Sequence, residues 1–119
     1  MPDYVIYTNN PDVAEKYAAN SRKIAGGVLD VFTAVRDAVH RGAKVFSHPL
    51  SGSVKPNESP FKSVAVADIA GPLDFESLRM IEDAVAVLKR LPDKRHVYDE
   101  SVLNDFRIID LDLIDSALD

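Results

Sequence analysis

The chain has 119 residues, 46% of them hydrophobic, with no cysteine and a formal net charge of −5 at pH 7. A chain of this length makes one domain, residues 1–119, with enough apolar side chains for a buried core, and the lack of cysteine excludes a disulfide framework, zinc thiolates, iron–sulfur ligation and thiol redox chemistry. Its apolar runs are short and broken by charge, so neither a transmembrane span nor a secretory signal is expected, and a cytoplasmic protein is the default.

Tyr4–Tyr7 is a β-branched and aromatic run that predicts the first strand. Asn10, Pro11 and Asp12 are three helix-start signals in a row: a capping side chain, a proline at the first helical position and an acid in the first turn. The helix is expected to run to about Ala19, with Val13, Tyr17 and Ala14 or Ala18 on its apolar side. Residues 20–25 suggest a short edge strand around Ile24. Gly26-Gly27 then breaks the chain before a second helix, Val28 to His40. Val28, Val31, Phe32, Val35, Ala38 and Val39 recur there at three- and four-residue spacing, on one face. Gly42 is a stop signal, and Ala43–Phe46 reads as strand.

After a long loop, Val64–Ala67 is apolar without alternation, as in a strand covered on both faces. Gly71-Pro72 ends that unit. Asp74 is the expected cap of a third helix, with Leu73 positioned to staple onto Leu78. Leu78, Ile81, Ala84 or Val85, Leu88 and Leu91 form its buried stripe, and Arg79, Glu82, Asp83, Lys89 and Arg90 face water. Pro92 terminates it. In the tail, a helical segment over about 97–119, Asp99 is expected to cap a helix through Phe106 and Asp110 to cap a second one carrying Leu111, Ile114 and Leu118. A late strand over 107–111 is the alternative. Strand–helix alternation predicts an α/β fold: a small three-layer α/β/α domain with a mixed, mostly parallel sheet of about 3–5 strands, Rossmann-like.

Charge is unevenly placed. From Asp99 onward seven acids (Asp99, Glu100, Asp105, Asp110, Asp112, Asp115, Asp119) face one Arg107, which leaves −6 there and +1 for residues 1–98. The acidic end reads as a solvated helical surface. With no basic stripe to neutralise phosphates, nucleic acid is not an expected partner, nor is a membrane.

The stretch Ser47–Ser63, SHPLSGSVKPNESPFKS, is too polar for a core element and longer than ordinary connections of about 4–6 residues. Ligands in open α/β sheets sit outside the carboxyl ends of strands. The first strand ends at Thr8-Asn9-Asn10 and the third at Ser47-His48, so parallel strands put both ends on one rim. No helix separates the third and fourth strands, so the fourth is expected to start from the same rim and run antiparallel, with Lys62 and Ser63 facing His48. Ser51-Gly52-Ser53 can turn backbone N–H groups inward, and Lys55 or Lys62 supplies charge, which together make an anion cradle. The spacing is not that of a P-loop, and no dinucleotide fingerprint or G-x-S-x-G elbow is present. The competing reading is a rigid loop in which Pro49, Pro56 and Pro60 fix φ and the serines satisfy local backbone.

His48, at a strand end, is a candidate general acid/base or a hydrogen-bonded structural histidine. His40 closes a helix, where a cation favours the dipole, and His96 lies in a charged turn. Their spacing gives no metal signal.

HPLSGSVKPNESPFKS resembles the GrdX family, whose members are small proteins found with glycine, sarcosine and betaine reductase gene clusters. It is preceded by RDAVHRG and by an N-terminal YTNNP, and followed by LDFESL at 73–78 and the ending DFRIIDLDLIDSAL. The resemblance covers most of the chain and nominates Asn9, Asn10, His48, Ser51, Gly52, Ser53, Lys55, Pro56, Asn57, Lys62 and Ser63 as motif positions. The family pattern carries a tyrosine where Phe61 stands, so no role needing a phenol hydroxyl is carried over. The resemblance implies an accessory role in amino-acid reductase metabolism of anaerobic bacteria and brings no reaction or cofactor with it.

Two readings follow. In the first, a small anionic ligand (carboxylate, phosphate or nucleotide) sits among Asn9, Asn10, His48, Ser51, Gly52, Ser53, Lys55, Asn57, Lys62 and Ser63, with a lysine pairing its charge and His48 carrying a proton if chemistry occurs. In the second, a non-catalytic assembly factor docks on a reductase component through the same loop, with Leu50, Val54 and Phe61 as its apolar anchors. Without cysteine the chain cannot be a thiol-dependent catalytic subunit. A homodimer through the tail is compatible with either reading.

Overall fold

Side-chain caps start three helices of the structure, a computed structural model that describes residues 4–51, 55–92 and 98–119. The first strand, β1 (Val5–Thr8), leads into α1 (Pro11–Lys16), where Asn10 Oδ1 accepts from the Asp12 N–H at 3.0 Å. Asp74 plays the same part for α3 (Phe75–Arg90), accepting from Ser77 N at 3.2 Å, and Asp99 for α4 (Glu100–Leu118), accepting from Val102 N at 3.0 Å. Each oxygen satisfies a backbone donor that a helix start leaves unpaired. In α2 (Val28–His40) the Gly27 N–H instead donates to Asp30 Oδ2 at 2.8 Å.

The remaining strands are β2 (Ser21–Lys23), β3 (Lys44–Val45) and β4 (Ser63–Ala67), and the sheet order is β2-β1-β4-β3. The β1–β2 pairing, across α1, is parallel, whereas β4 runs antiparallel to both β1 and β3. The expectation of a mostly parallel, Rossmann-like sheet is therefore not met. The reason is the connection between β3 and β4. With no crossover helix among its described residues, it delivers the chain back to the rim where β3 ends, so β4 must return antiparallel between β1 and β3.

Alternation along the central strands sends side chains to opposite faces. Tyr7, Val64 and Val66 join Val31, Phe32, Val35 and Val39 of α2 and Ile81, Ala84 and Val85 of α3 in one buried cluster. Ile6 and Ala65 face the other way and meet Val13 of α1 and Ile114 of α4. Val64, Ala65 and Val66 are all fully buried, as the unbroken apolar run predicts. Each large aliphatic or aromatic side chain removed from water contributes about 1.5–3 kcal/mol. Between α2 and β3, Gly42 has φ +108°, and a Cβ there would stand 2.4 Å from the Gly71 nitrogen. Only glycine permits that backbone-on-backbone approach.

Three boundaries differ from expectation. The first helix stops at Lys16, where the Tyr17 N–H closes onto the Val13 carbonyl. Ile24 follows the edge strand instead of centring it. The tail is a single 19-residue helix with neither a strand nor a second start at Asp110. Asp110 is buried in mid-helix, so it does not belong to the solvated acidic surface either. Among the described residues no helix is long and apolar enough to cross a membrane.

Candidate functional site

The register Thr8↔Ser63 brings the end of β1 and the start of β4 together at one rim. Thr8 and Ser63 are both buried, and their hydroxyl oxygens lie 2.7 Å apart. Ser63 Oγ donates to Asp110 Oδ2 at 2.7 Å. A serine hydroxyl has one hydrogen, so Thr8 Oγ1 is the donor to Ser63. Thr8 Oγ1 in turn accepts the Asn10 N–H at 2.9 Å. The Asn10 amide closes the ring, donating to Asp110 Oδ2 and to the Arg107 carbonyl, each at 3.0 Å. A buried carboxylate on α4 is thus held by two donors that the sheet and the α1 cap supply.

Asn9 does something different. Its Oδ1 accepts the Lys62 N–H at 2.8 Å, and its Nδ2 donates to the Pro60 carbonyl at 2.7 Å and the Gly26 carbonyl at 3.1 Å. This side chain clamps the end of the loop onto the rim. The Arg107 guanidinium lies over the Phe61 ring, 5.7 Å from its centroid, and reaches Glu100 at 2.7 Å, so α4 and the loop also meet through a cation–π contact.

Between loop and helix is a narrow cleft of about 20 Å³, room for one water molecule. The loop lines it with Ser51, Lys55, Pro56, Ser59, Phe61 and Lys62, and α4 with Phe106, Ile109, Asp110 and Leu113. The Lys62 ammonium has one hydrogen-bond partner among the described residues, the Ser51 carbonyl at 3.4 Å. Burial holds its pKa below the ordinary lysine value, although the Asp110 charge works the other way. Burial likewise raises the Asp110 carboxyl, against hydrogen bonds from Ser63 and Asn10 and the charge of Lys62. The two charges face one cleft yet stand farther apart than the 4.0 Å of an ion pair.

Of the residues that the sequence nominates, Ser51, Lys55, Pro56 and Lys62 line the cleft, while Asn10 and Ser63 form the network behind it. Gly52, Ser53 and His96 lie outside the described residues. His48 does not face Lys62 and Ser63 as expected. It is exposed, its Nδ1 accepts the Leu50 N–H at 3.1 Å, and it borders a separate hollow with Arg79, Met80 and Asp83 of α3. Asn57 also points elsewhere, donating to the Pro92 carbonyl at 2.9 Å.

Sequence reasoning misses Asp110 as a site residue, and it puts Thr8 on the rim without nominating it. Asp110 has a signal: it interrupts an apolar series, Phe106, Leu113 and Ile114, at helical spacing, where an acid must be satisfied from another element. Among the described residues no group of three or more side chains is arranged to hold a metal ion.

Fold and site together define a mixed α/β protein with, among the described residues, a four-stranded mixed sheet, four helices and a small polar cleft over a buried carboxylate. The chain belongs to the GrdX family: the family model, described as GrdX-like protein, matches residues 5–119. No curated protein and no solved structure matches it.

Proposed function

We propose that this protein binds a small anion at the mouth of the cleft between the 51–62 loop and α4, as an accessory of amino-acid reductase metabolism. The observation that carries the reading is Lys62. An ammonium has three donors, and among the described residues this half-buried one has a single long contact, to the Ser51 carbonyl. A bound anion would supply the missing acceptors. Lys55, exposed on the same cleft, adds a second charge, and the Ser51 hydroxyl is a neutral donor within the lining, whereas the Ser59 hydroxyl is spent on the Phe61 carbonyl. His48 has no part in this arrangement, so the reading is of a binding site and not of a proton-transfer centre.

Thermal-shift measurements against phosphate, acetyl phosphate, glycine, sarcosine, betaine and nucleotides test it. A ligand at about 100 times its dissociation constant stabilises the protein by about 2.7 kcal/mol. The expected result is a rise in melting temperature with at least one anionic compound that Lys62→Gln abolishes. A shift that survives in Lys62→Gln would place the ligand elsewhere.

A second reading has its own observation. Ile108 and Ile109 on α4 are 47% and 40% exposed, and Ile109 lines the cleft, an apolar surface suited to a protein partner such as a reductase component. Under this reading Ile108→Glu weakens capture of the reductase components and leaves ligand-induced shifts unchanged.

A further inference from the structure

Asp110 gives the cleft a second pole. Its Oδ2 accepts from both Ser63 and Asn10, whereas Oδ1 has no hydrogen-bond partner among the described residues. Asp110 lines the cleft, so Oδ1 is the acceptor it has left for a group that enters there. Across that space is the Lys62 ammonium, also with unused hydrogen-bonding capacity. Oppositely charged groups that share a cleft without touching leave both partly uncompensated. Whatever bridges them must donate to Asp110 and accept from Lys62.

That requirement selects among ligands. A simple carboxylate satisfies Lys62 but sets its charge against the Asp110 carboxylate, and a simple amine meets the converse repulsion from Lys62. A molecule carrying both charges meets neither. Hydrogen bonding selects further: the Asp110 pole takes a group that carries N–H donors, which an unsubstituted ammonium has and a trimethylammonium group lacks.

We propose that the cleft takes a small zwitterion, with its ammonium donating to Asp110 Oδ1 and its carboxylate at the mouth on Lys62 and Lys55. This inference rests on the anion-binding reading and adds Asp110 as the residue that sets ligand class.

Isothermal titration calorimetry on the intact protein with glycine, β-alanine, acetate, methylammonium and trimethylglycine tests it. Glycine or β-alanine is expected to bind at least about tenfold more tightly than acetate or methylammonium, and trimethylglycine not at all, since it has no N–H donor. Asp110→Asn is expected to erase the advantage over acetate, and Lys62→Gln to remove binding of both. Acetate binding as tightly as the zwitterions, or Asp110→Asn leaving their advantage intact, would overturn the zwitterion assignment while the anion site stands. No binding of any anionic or zwitterionic compound would overturn both. The wild-type ligand series decides the question even if Asp110→Asn fails to fold.

Discussion

Ser63 donates its hydroxyl to the Asp110 carboxylate at 2.7 Å across 47 residues of sequence, which fastens the first residue of β4 to the middle of α4. The helix has few other deep anchors, since Ile114 is its one buried apolar side chain, with Leu111 and Leu118 half-buried beside it. Ser63→Ala would leave Asp110 with Asn10 as its single donor and the Thr8 hydroxyl without its acceptor. A buried polar group stripped of its partner costs about 1–3 kcal/mol. Urea denaturation should show a loss of that size, whereas an unchanged midpoint would mean that α4 docks without the network.

Asp110 also makes stability depend on pH in a direction opposite to that of Asp74, Asp99 and Asp115. Burial raises its folded-state pKa above the ordinary value of 3.8. Between the two values the native state holds more protons than the unfolded chain, so stability falls as pH rises through that window. The opposite sign holds for Asp74 and Asp99, whose carboxyls lie below the ordinary value because they accept from Ser77 and Ser101, and whose contribution is lost as pH falls. Asp110→Asn keeps an oxygen for Ser63 and Asn10 but cannot ionise. Urea midpoints for wild type and variant from about pH 4 to about pH 8 should converge at the acid end, with the variant equal or more stable at neutral pH. A variant that is less stable at neutral pH and shows an unchanged pH profile would contradict this account.

Much of this arrangement is legible in the sequence, for local reasons. Asn10, Asp74 and Asp99 start helices because each sits next to the donors it satisfies, and Val28–His40 shows its buried face in its spacing alone. The antiparallel return of β4 follows from a connection with no helix among its described residues. The mostly parallel sheet fails because local patterns do not report which strands become neighbours. Asp110 escapes for a related reason. An acid in an acidic tail looks solvated unless its partners are known, and those partners, Asn10 and Ser63, lie 100 and 47 residues away. Lys62 is visible as a charge in a polar loop, but its burial against α4 depends on tertiary contacts that only the fold creates.

The far end of α4 is held by a separate latch. The Tyr17 hydroxyl donates to Asp115 Oδ1, and Lys16 Nζ donates to Asp115 Oδ2 at 2.7 Å. Burial raises the Asp115 carboxyl, but the hydrogen bonds from Lys16 and Tyr17 outweigh it and hold the group below the ordinary range. Burial and the nearby Asp115 push ionisation of Tyr17 upward, so its hydroxyl stays protonated as the donor. Tyr17→Phe should cost about 0.5–1.5 kcal/mol, the net worth of one hydrogen bond, or somewhat more because the acceptor is charged. Hydrogen exchange should quicken in the last turns of α4 and stay unchanged in α2 and α3. Uniform quickening across all helices would show that α4 does not open on its own.

A glycine pair offers a test of backbone geometry that is independent of the site. Gly42 has φ +108°, and an added Cβ would lie 2.4 Å from the nitrogen and 2.6 Å from the carbonyl oxygen of Gly71. Both atoms are backbone, so the clash cannot be relieved by turning a side chain. The left-handed conformation alone costs a residue with a Cβ about 1–2 kcal/mol, and the displaced Gly71 segment adds to that. Gly42→Ala should therefore lose more than about 2 kcal/mol, which for a domain of this size lowers the melting temperature by several degrees. Gly27 is the control. Its φ is −100°, and a Cβ added there would meet no heavy atom within 4 Å. There the lower capping preference of alanine opposes the reduced entropy of the unfolded chain, and Gly27→Ala should stay within about 0.5 kcal/mol of wild type. Equal effects at the two positions would refute the close approach of Gly42 to Gly71.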